Sequence, residues 1–467
     1  MKIYSKLIVP IFAILLICSC KDNANNDERP TNSKTQIVAN TRILPEWAKQ
    51  ANIYEVNIRQ YTEQGTFDAF SSHLPRLKSM GVDILLLMPI FPISSSKKKG
   101  TLGSYYAVSD FRKTNPQFGS MESFENLLAK AHSLGMRVIL DWVPNHTGWD
   151  HAWIQSSKEF YKQDKKENIK EPVDPKTGKP YGWTDVAALN YNNTDMREQM
   201  IDNLLFWVNE IKVDGYRMGV ADDIPNDFWQ DATNQLYAAN NELYMLAESE
   251  DVTHINSGLF HTIYNSSMHN LFIDIASGTK NTNDLHKHLL EKDGSVSQGS
   301  YLNFVTNHDQ NSWTGTMEER FANAADAMTV LAMTIDGFPL IYGGQEEPLD
   351  HRLDFFEKDN IGFKKYAKAK LLKTLLDLKH RNKAMGNNQY GSPLIRVGDS
   401  EHIYAFMKEK DGDKFAVMVN LSDKKQQIKL SKSVIGMTDL FNGRQVEMGQ
   451  GTIKSFDPWE YWVASNK

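Results

Sequence analysis

Between residues 51 and 344, short runs of nearly unbroken apolar residues alternate with longer segments whose apolar residues recur every three or four positions. ANIYEVNIRQY (51–61), VDILLLMPI (82–90), MRVILDWVP (136–144), VDGYRMG (213–219), LYMLAES (243–249), LFIDIAS (271–277), YLNFVTN (301–307) and FPLIYGG (338–344) read as eight strands. A strand that is apolar at successive positions is covered on both faces, the pattern of a parallel sheet walled by helices. The intervening segments supply those helices. FDAFSSHLPRLKSMG (67–81) places Phe67, Phe70, Leu74 and Leu77 on one face, and MESFENLLAKAHSLG (121–135) repeats the unit, ending at Gly135. Eight strands alternating with helices predict an α/β chain closed as a (β/α)8 barrel of TIM type. An open doubly wound sheet is the alternative, but no glycine-rich nucleotide loop follows the first strand.

After the eighth run, YAKAKLLKTLLDLKHRNKAM (366–385) reads as a long helix, and the apolar period then changes to two. HIYAFMKEKDGDKFAVMVNLSD (402–423) reads as two alternating strands joined around Asp411-Gly412, and SFDPWEYWVAS (455–465) as another. The expected organisation is a barrel over 46–385, with a short inserted loop domain after the third strand (146–190), and a C-terminal antiparallel β-sandwich over 386–467.

The N-terminus is of another kind. MKIYSKLIVPIFAILLICSC (1–20) has Lys2 and Lys6, an apolar run too short to span a bilayer, and Ser19 before Cys20. It resembles a bacterial lipoprotein signal peptide, which implies cleavage before Cys20 and a membrane anchor through lipid on that cysteine. A plain secretory signal with an incidental cysteine is the alternative. Both cysteines, Cys18 and Cys20, lie in this leader, so the body forms no internal disulfide despite an exported, oxidising location. Residues 21–45 are polar and expected to be a disordered tether. The expected localisation is the bacterial cell envelope, at the outer membrane, with periplasmic and cell-surface placement both open. Apolar residues at 41% and charged residues at 24% are those of an ordinary water-soluble body. A formal net charge of -6, not gathered into one tail, excludes nucleic acid as an expected partner.

In a closed parallel barrel the chemistry sits where strands end at their C-terminal face. The third strand ends in Asp141 to His146, the fourth in Arg217 and Gly219, the fifth in Glu248, and the seventh in Asn307-His308-Asp309. Acids, amides, an arginine and two histidines converge there, without a cysteine, a serine elbow or a phosphate loop. Retaining glycoside hydrolysis needs two carboxylates about 5 Å apart, one of them protonated.

At this point the chain resembles the α-amylase family, glycoside hydrolase family 13, on DWVPNH (141–146), GYRMGVADD (215–223), AESED (247–251) and TNHDQN (306–311), with GSYYAVSDF (103–111) and GFPLIYGGQEE (337–347) in support. The resemblance implies a starch-degrading role in carbohydrate metabolism, with α-glucan or maltooligosaccharide as the bound partner. It implies Glu248 as general acid/base and Asp309 as the carboxylate that holds the sugar ring distorted. It implies Tyr106 as the aromatic platform under that sugar, with His146 and His308 gripping its hydroxyls and Arg217 keeping a nucleophile ionised. Asp141, Asn145 and Asn307 are implied as supporting residues.

The family's nucleophile is an aspartate two residues after this arginine, and that position is Gly219. Glycine cannot form a glycosyl-enzyme bond. Asp222 and Asp223 on the following loop are expected not to reach the same point, and Ala188 in VAALNY stands where the family has another aspartate. No cofactor is expected. Calcium is possible by resemblance, but its ligand set is incomplete, with Asn145 kept and Asp222 and Asp223 where a lysine and a histidine often sit. Three readings of Gly219 compete. They are an engineered knockout, decay into a glucan-binding pseudoenzyme, and altered catalysis in which water attacks through the space glycine opens. An active α-glucosidase or α-amylase and a non-catalytic scaffold for a partner protein are the alternative functions. Trp142, Trp149, Trp153 and Trp183, around the third strand and its loop, suit sugar stacking or serve as anchors.

Overall fold

The eight barrel strands are β1 Ile53–Val56, β2 Ile84–Leu87, β3 Arg137–Trp142, β4 Gly215–Met218, β5 Tyr244–Ala247, β6 Thr262–Tyr264, β7 Ser300–Asn303 and β8 Phe338–Tyr342. Each pairs in parallel with its chain neighbours, and β1 closes the barrel on β8, with Ile53 opposite both Leu340 and Ile84. The computed structural model describes residues 42–467. The leader, Cys20 and all but the last residues of the 21–45 segment therefore lie outside the described residues.

Alternation along each strand explains why these runs are apolar throughout. Ile53, Ile84, Leu86, Ile139, Leu246, Leu302 and Leu340 fill the barrel interior. Tyr54, Leu85, Leu87, Val138, Leu140, Met245 and Ile341 point outward under the helices.

Two local readings change. LFIDIAS is not the sixth strand; it lies in the helix Ser266–Ala276, where buried Met268, Leu271, Phe272 and Ile275 recur at i, i+3, i+4 and i+7. The sixth strand is the three-residue segment Thr262–Tyr264 just before it. The segment 67–81 forms two helices, Phe67–Ser71 and Leu74–Met80, with Pro75 in the first turn of the second. All four of its expected core residues are buried.

Beyond β8 and the helix Ala369–Arg381, eight antiparallel strands follow: β9 Ile395–Arg396, β10 Ile403–Lys410, β11 Asp413–Asn420, β12 Gln426–Lys429, β13 Val434–Asp439, β14 Gln445–Met448, β15 Ile453–Phe456 and β16 Tyr461–Ser465. They form a six-stranded sheet in the order β9-β10-β11-β16-β13-β14 and a pair β12-β15. Ile428 and Phe456 of the pair share a core with Met418, Val434 and Trp462 of the sheet, which makes the unit a sandwich. Asp411 and Gly412 both take positive φ, 52° and 84°, as a two-residue hairpin turn requires. After β3, the segments His146–Gly148 and Val186–Ala188 pair antiparallel, so the inserted stretch leaves and rejoins the barrel at one place. Among the described residues no helix is long and apolar enough to cross a membrane.

Candidate active site

Register sets Asp141 on β3 beside Arg217 on β4. Arg217 NH1 donates to Asp141 Oδ1 at 2.9 Å, and Arg217 Nε donates to the Tyr264 hydroxyl of β6 at 3.2 Å. Both charged side chains are almost fully buried. Burial pushes the Asp141 carboxyl up, although the Arg217 and His308 charges pull the other way. The third guanidinium nitrogen, NH2, lies 2.6 Å from Glu248 Oε1. This is an ion contact whose angle falls short of a hydrogen bond, and NH2 has no directed acceptor. Glu248 Oε2 accepts from the Val220 amide at 2.7 Å. One Glu248 oxygen is thus hydrogen-bonded and the other faces the guanidinium.

A second arm runs through Tyr106. Its hydroxyl donates to Asp141 Oδ2 at 2.9 Å and accepts from His308 Nε2 at 2.7 Å. His308 Nδ1 donates to Glu55 Oε1 at 2.6 Å, and the His308 amide donates to Glu55 Oε2 at 3.1 Å. His308 Nε2 also lies 3.4 Å from Asp309 Oδ2. The site is therefore one continuous network of alternating charge, from Glu55 through His308, Tyr106, Asp141 and Arg217 to Glu248.

Burial on its own would lower the His308 pKa, but the Asp309 and Glu55 charges outweigh it and raise the ring to about 9. The folded-state value lies above the unfolded one, so this stabilisation is full below about pH 6.5 and is lost as pH rises through about 9. It amounts to on the order of 3 kcal/mol. Denaturant unfolding between pH 6 and 10 should show that fall, and Glu55→Gln should flatten it; an unchanged slope in the variant would contradict the pairing. His146 differs: burial lowers it to about 4, and its Nε2 donates to the Tyr106 carbonyl at 3.1 Å.

Gly219 contributes no side chain to this network, and its amide donates to the Trp142 carbonyl at 2.8 Å. A Cβ placed there would lie 2.8 Å from Arg217 NH1 and 2.8 Å from Val143 Cγ2. A side chain beginning there must displace the end of the arginine and the valine methyl. The next residue, Val220, takes φ 45° and ψ 44°, a costly left-handed conformation for a β-branched side chain, and its amide there meets Glu248. Asp222 accepts from Ser249 Oγ at 2.5 Å, and Asp223 from the Tyr181 hydroxyl at 3.1 and 3.2 Å. Both carboxylates are thus committed to partners other than Arg217.

A cavity of about 640 Å³ opens over the network. His146, Arg217, Glu248, His308 and Asp309 from the strand ends line it, as does Tyr106, which was named from the resemblance. Asp141, Asn145 and Asn307 stand behind: Asn307 Oδ1 accepts from the Gln310 amide at 2.8 Å, and the Asn145 carbonyl accepts from the Leu189 amide at 3.0 Å. Ala188 is buried and pairs with His146. Of the four tryptophans named from the sequence, only Trp183 lines the cavity, stacked on Tyr181 at 4.4 Å. Trp142 is in the core, Trp149 lies under Lys97, and Trp153 packs on His151 and Phe160. The sequence reading misses Glu55, whose signal is a lone acid within the buried strand IYEV, and the wall residues Lys99, Asp185, Trp313, Phe355 and Phe356.

The calcium ligand set named from the resemblance, Asn145 with Asp222 and Asp223, stays incomplete. Asn145 Oδ1 is a buried acceptor without a partner, but Asp223 is tied to Tyr181 and Asp185 to Lys99 at 2.9 Å. Among the described residues no three His, Cys, Asp or Glu side chains converge.

A parallel barrel whose strand ends bring carboxylates, histidines and an arginine to one deep cavity is a scaffold of glycoside-hydrolase type. Residues 29–387 match the model of the α-amylase catalytic domain, and the chain belongs to the α-amylase family. It is 24% identical over 414 residues to the α-amylase MalA of Haloarcula japonica, covering 85% of this chain and 59% of that protein. It is 28% identical over 340 residues to α-amylase 3 of Dictyoglomus thermophilum, covering 64% of each. The chain thus spans about three fifths of the length of these relatives. In fold it resembles the noncanonic maltogenic α-amylase AmyB of Thermotoga neapolitana, with a TM-score of 0.79 at 24% identity, over 90% of this chain and 99% of that one.

Proposed function

We propose that this protein binds α-glucan chains of the starch and maltooligosaccharide type at the cell envelope, and that its hydrolytic activity is impaired because Gly219 stands at the nucleophile position. The observation that carries the reading is the Arg217 guanidinium, which crowds the start of any side chain at 219 and touches Glu248. Retaining hydrolysis needs one carboxylate to attack the anomeric carbon and a second to protonate the leaving oxygen. Here the first is absent and the second has both oxygens engaged by Arg217 and Val220.

Recognition survives the loss. Tyr106, His146, His308 and Asp309 still face the cavity, and the protonated His308 holds Tyr106 in place as a sugar platform. The relatives bearing amylase and cyclomaltodextrinase names support α-glucan as the ligand class. Anchoring through Cys20 is part of the same proposal and rests on the leader's composition; incorporation of labelled fatty acid that persists in Cys20→Ala would count against it.

Calorimetric titration of the folded protein with maltoheptaose tests the reading. The expected result is saturable binding with a Kd of roughly 10 µM to 1 mM. No heat and no saturation at millimolar sugar would overturn it.

A further inference from the structure

Trp313 lies in the turn Gln310–Thr314, four residues beyond Asp309. Among the described residues it is the one aromatic of the cavity wall that is more open than covered, at 54% exposure. The ring is therefore open to a ligand at the edge of the cavity. The ring does not hang free. It packs on Phe355 at 5.0 Å and on Phe356 at 5.9 Å between centroids, and Phe355 lies nearly parallel to Tyr106 at 6.2 Å. An aromatic shelf therefore runs outward from Tyr106 through Phe355 to Trp313.

The turn is fixed as well. Asn311 Oδ1 accepts from the Leu353 amide at 2.9 Å, Asn311 Nδ2 donates to the His351 carbonyl at 3.2 Å, and Ser312 Oγ donates to the Leu353 carbonyl at 3.0 Å. These bonds tie the Trp313 turn to the loop after β8, so the ring is set before any ligand arrives.

We propose that Trp313, backed by Phe355 and Phe356, is a stacking platform for a further glucose unit of the bound glucan, outward of the unit on Tyr106. The inference rests on the α-glucan reading above. The C–H face of a pyranose packs on an indole face, and a preset ring binds it without an ordering cost.

The test is calorimetric titration of the native protein, Trp313→Ala and Trp313→Tyr with maltose and with maltoheptaose, thermal melting confirming that each variant is folded. Trp313→Ala should weaken maltoheptaose binding roughly tenfold and maltose binding less, while Trp313→Tyr, which keeps a ring, should stay within about threefold of the native protein. Native affinity for maltoheptaose in Trp313→Ala would overturn the platform while leaving the glucan site standing. Absence of maltoheptaose binding in the native protein would overturn both.

Discussion

Gly219→Asp should release sugar from maltoheptaose at least about 10³-fold faster than the native protein. Removing the nucleophile of a covalent enzyme costs on the order of 10⁶ in kcat, which sets the upper limit of what restoration can return. The expected gain is smaller because the first added carbon meets Arg217 NH1 and Val143 Cγ2, each at 2.8 Å. Something must shift, and the arginine end is the softer neighbour. A carboxylate at 219 offers NH1 and NH2 a new partner and draws the guanidinium away from Glu248, which frees Glu248 Oε1 to carry the leaving-group proton. Gly219→Ala is the control: it adds the same first carbon without the carboxylate and should remain inactive. Timed chromatography of the sugars reads both variants. Equal activity in the aspartate and alanine variants would show that position 219 is not where the attacking group belongs.

The largest effect on stability is expected from Arg217→Met, which should lower the unfolding free energy by about 3–5 kcal/mol. Asp141 has no exposed side-chain surface, and Arg217 is the cation paired with it. Methionine keeps much of the side-chain volume and removes the charge, so Asp141 must either stay ionised with only the His308 charge nearby or take up a proton. It also leaves the Tyr264 hydroxyl without its Arg217 donor and Glu248 without its ion contact. Urea unfolding monitored by circular dichroism measures the change. A loss below about 1 kcal/mol would mean that the buried pair contributes little beyond packing.

What the sequence made legible follows from which physical signals are local. Seven of the eight barrel strands show because a strand buried on both faces is apolar at most positions, as ILLL in β2 is throughout. The sixth is hidden because Thr262–Tyr264 has only three residues, while the stronger apolar run beside it is the buried face of a helix. The strand-end side chains were legible for a related reason: once the barrel closes, polar residues just past an apolar run must face the same end. Lys99, Asp185, Trp313 and Phe355 were not, because they come from loops whose sequences carry no period and whose approach to the cavity depends on long-range packing. Glu55 could have been suspected as an acid in a buried strand, but its partner His308 is 253 residues away. The contact of Arg217 with Glu248 was beyond sequence reading, since it depends on which way a long side chain turns.

On the reading proposed above, the native site holds glucan without cutting it. The most direct test is to incubate native protein with maltoheptaose at concentrations where calorimetry shows the site saturated, and to follow the sugar by chromatography over hours. The expected result is intact maltoheptaose recovered in full. Glucose or shorter maltooligosaccharides appearing at about 1 s⁻¹ or faster, within the usual range of enzymes, would contradict it and would mean that another group or water performs the attack that Gly219 cannot.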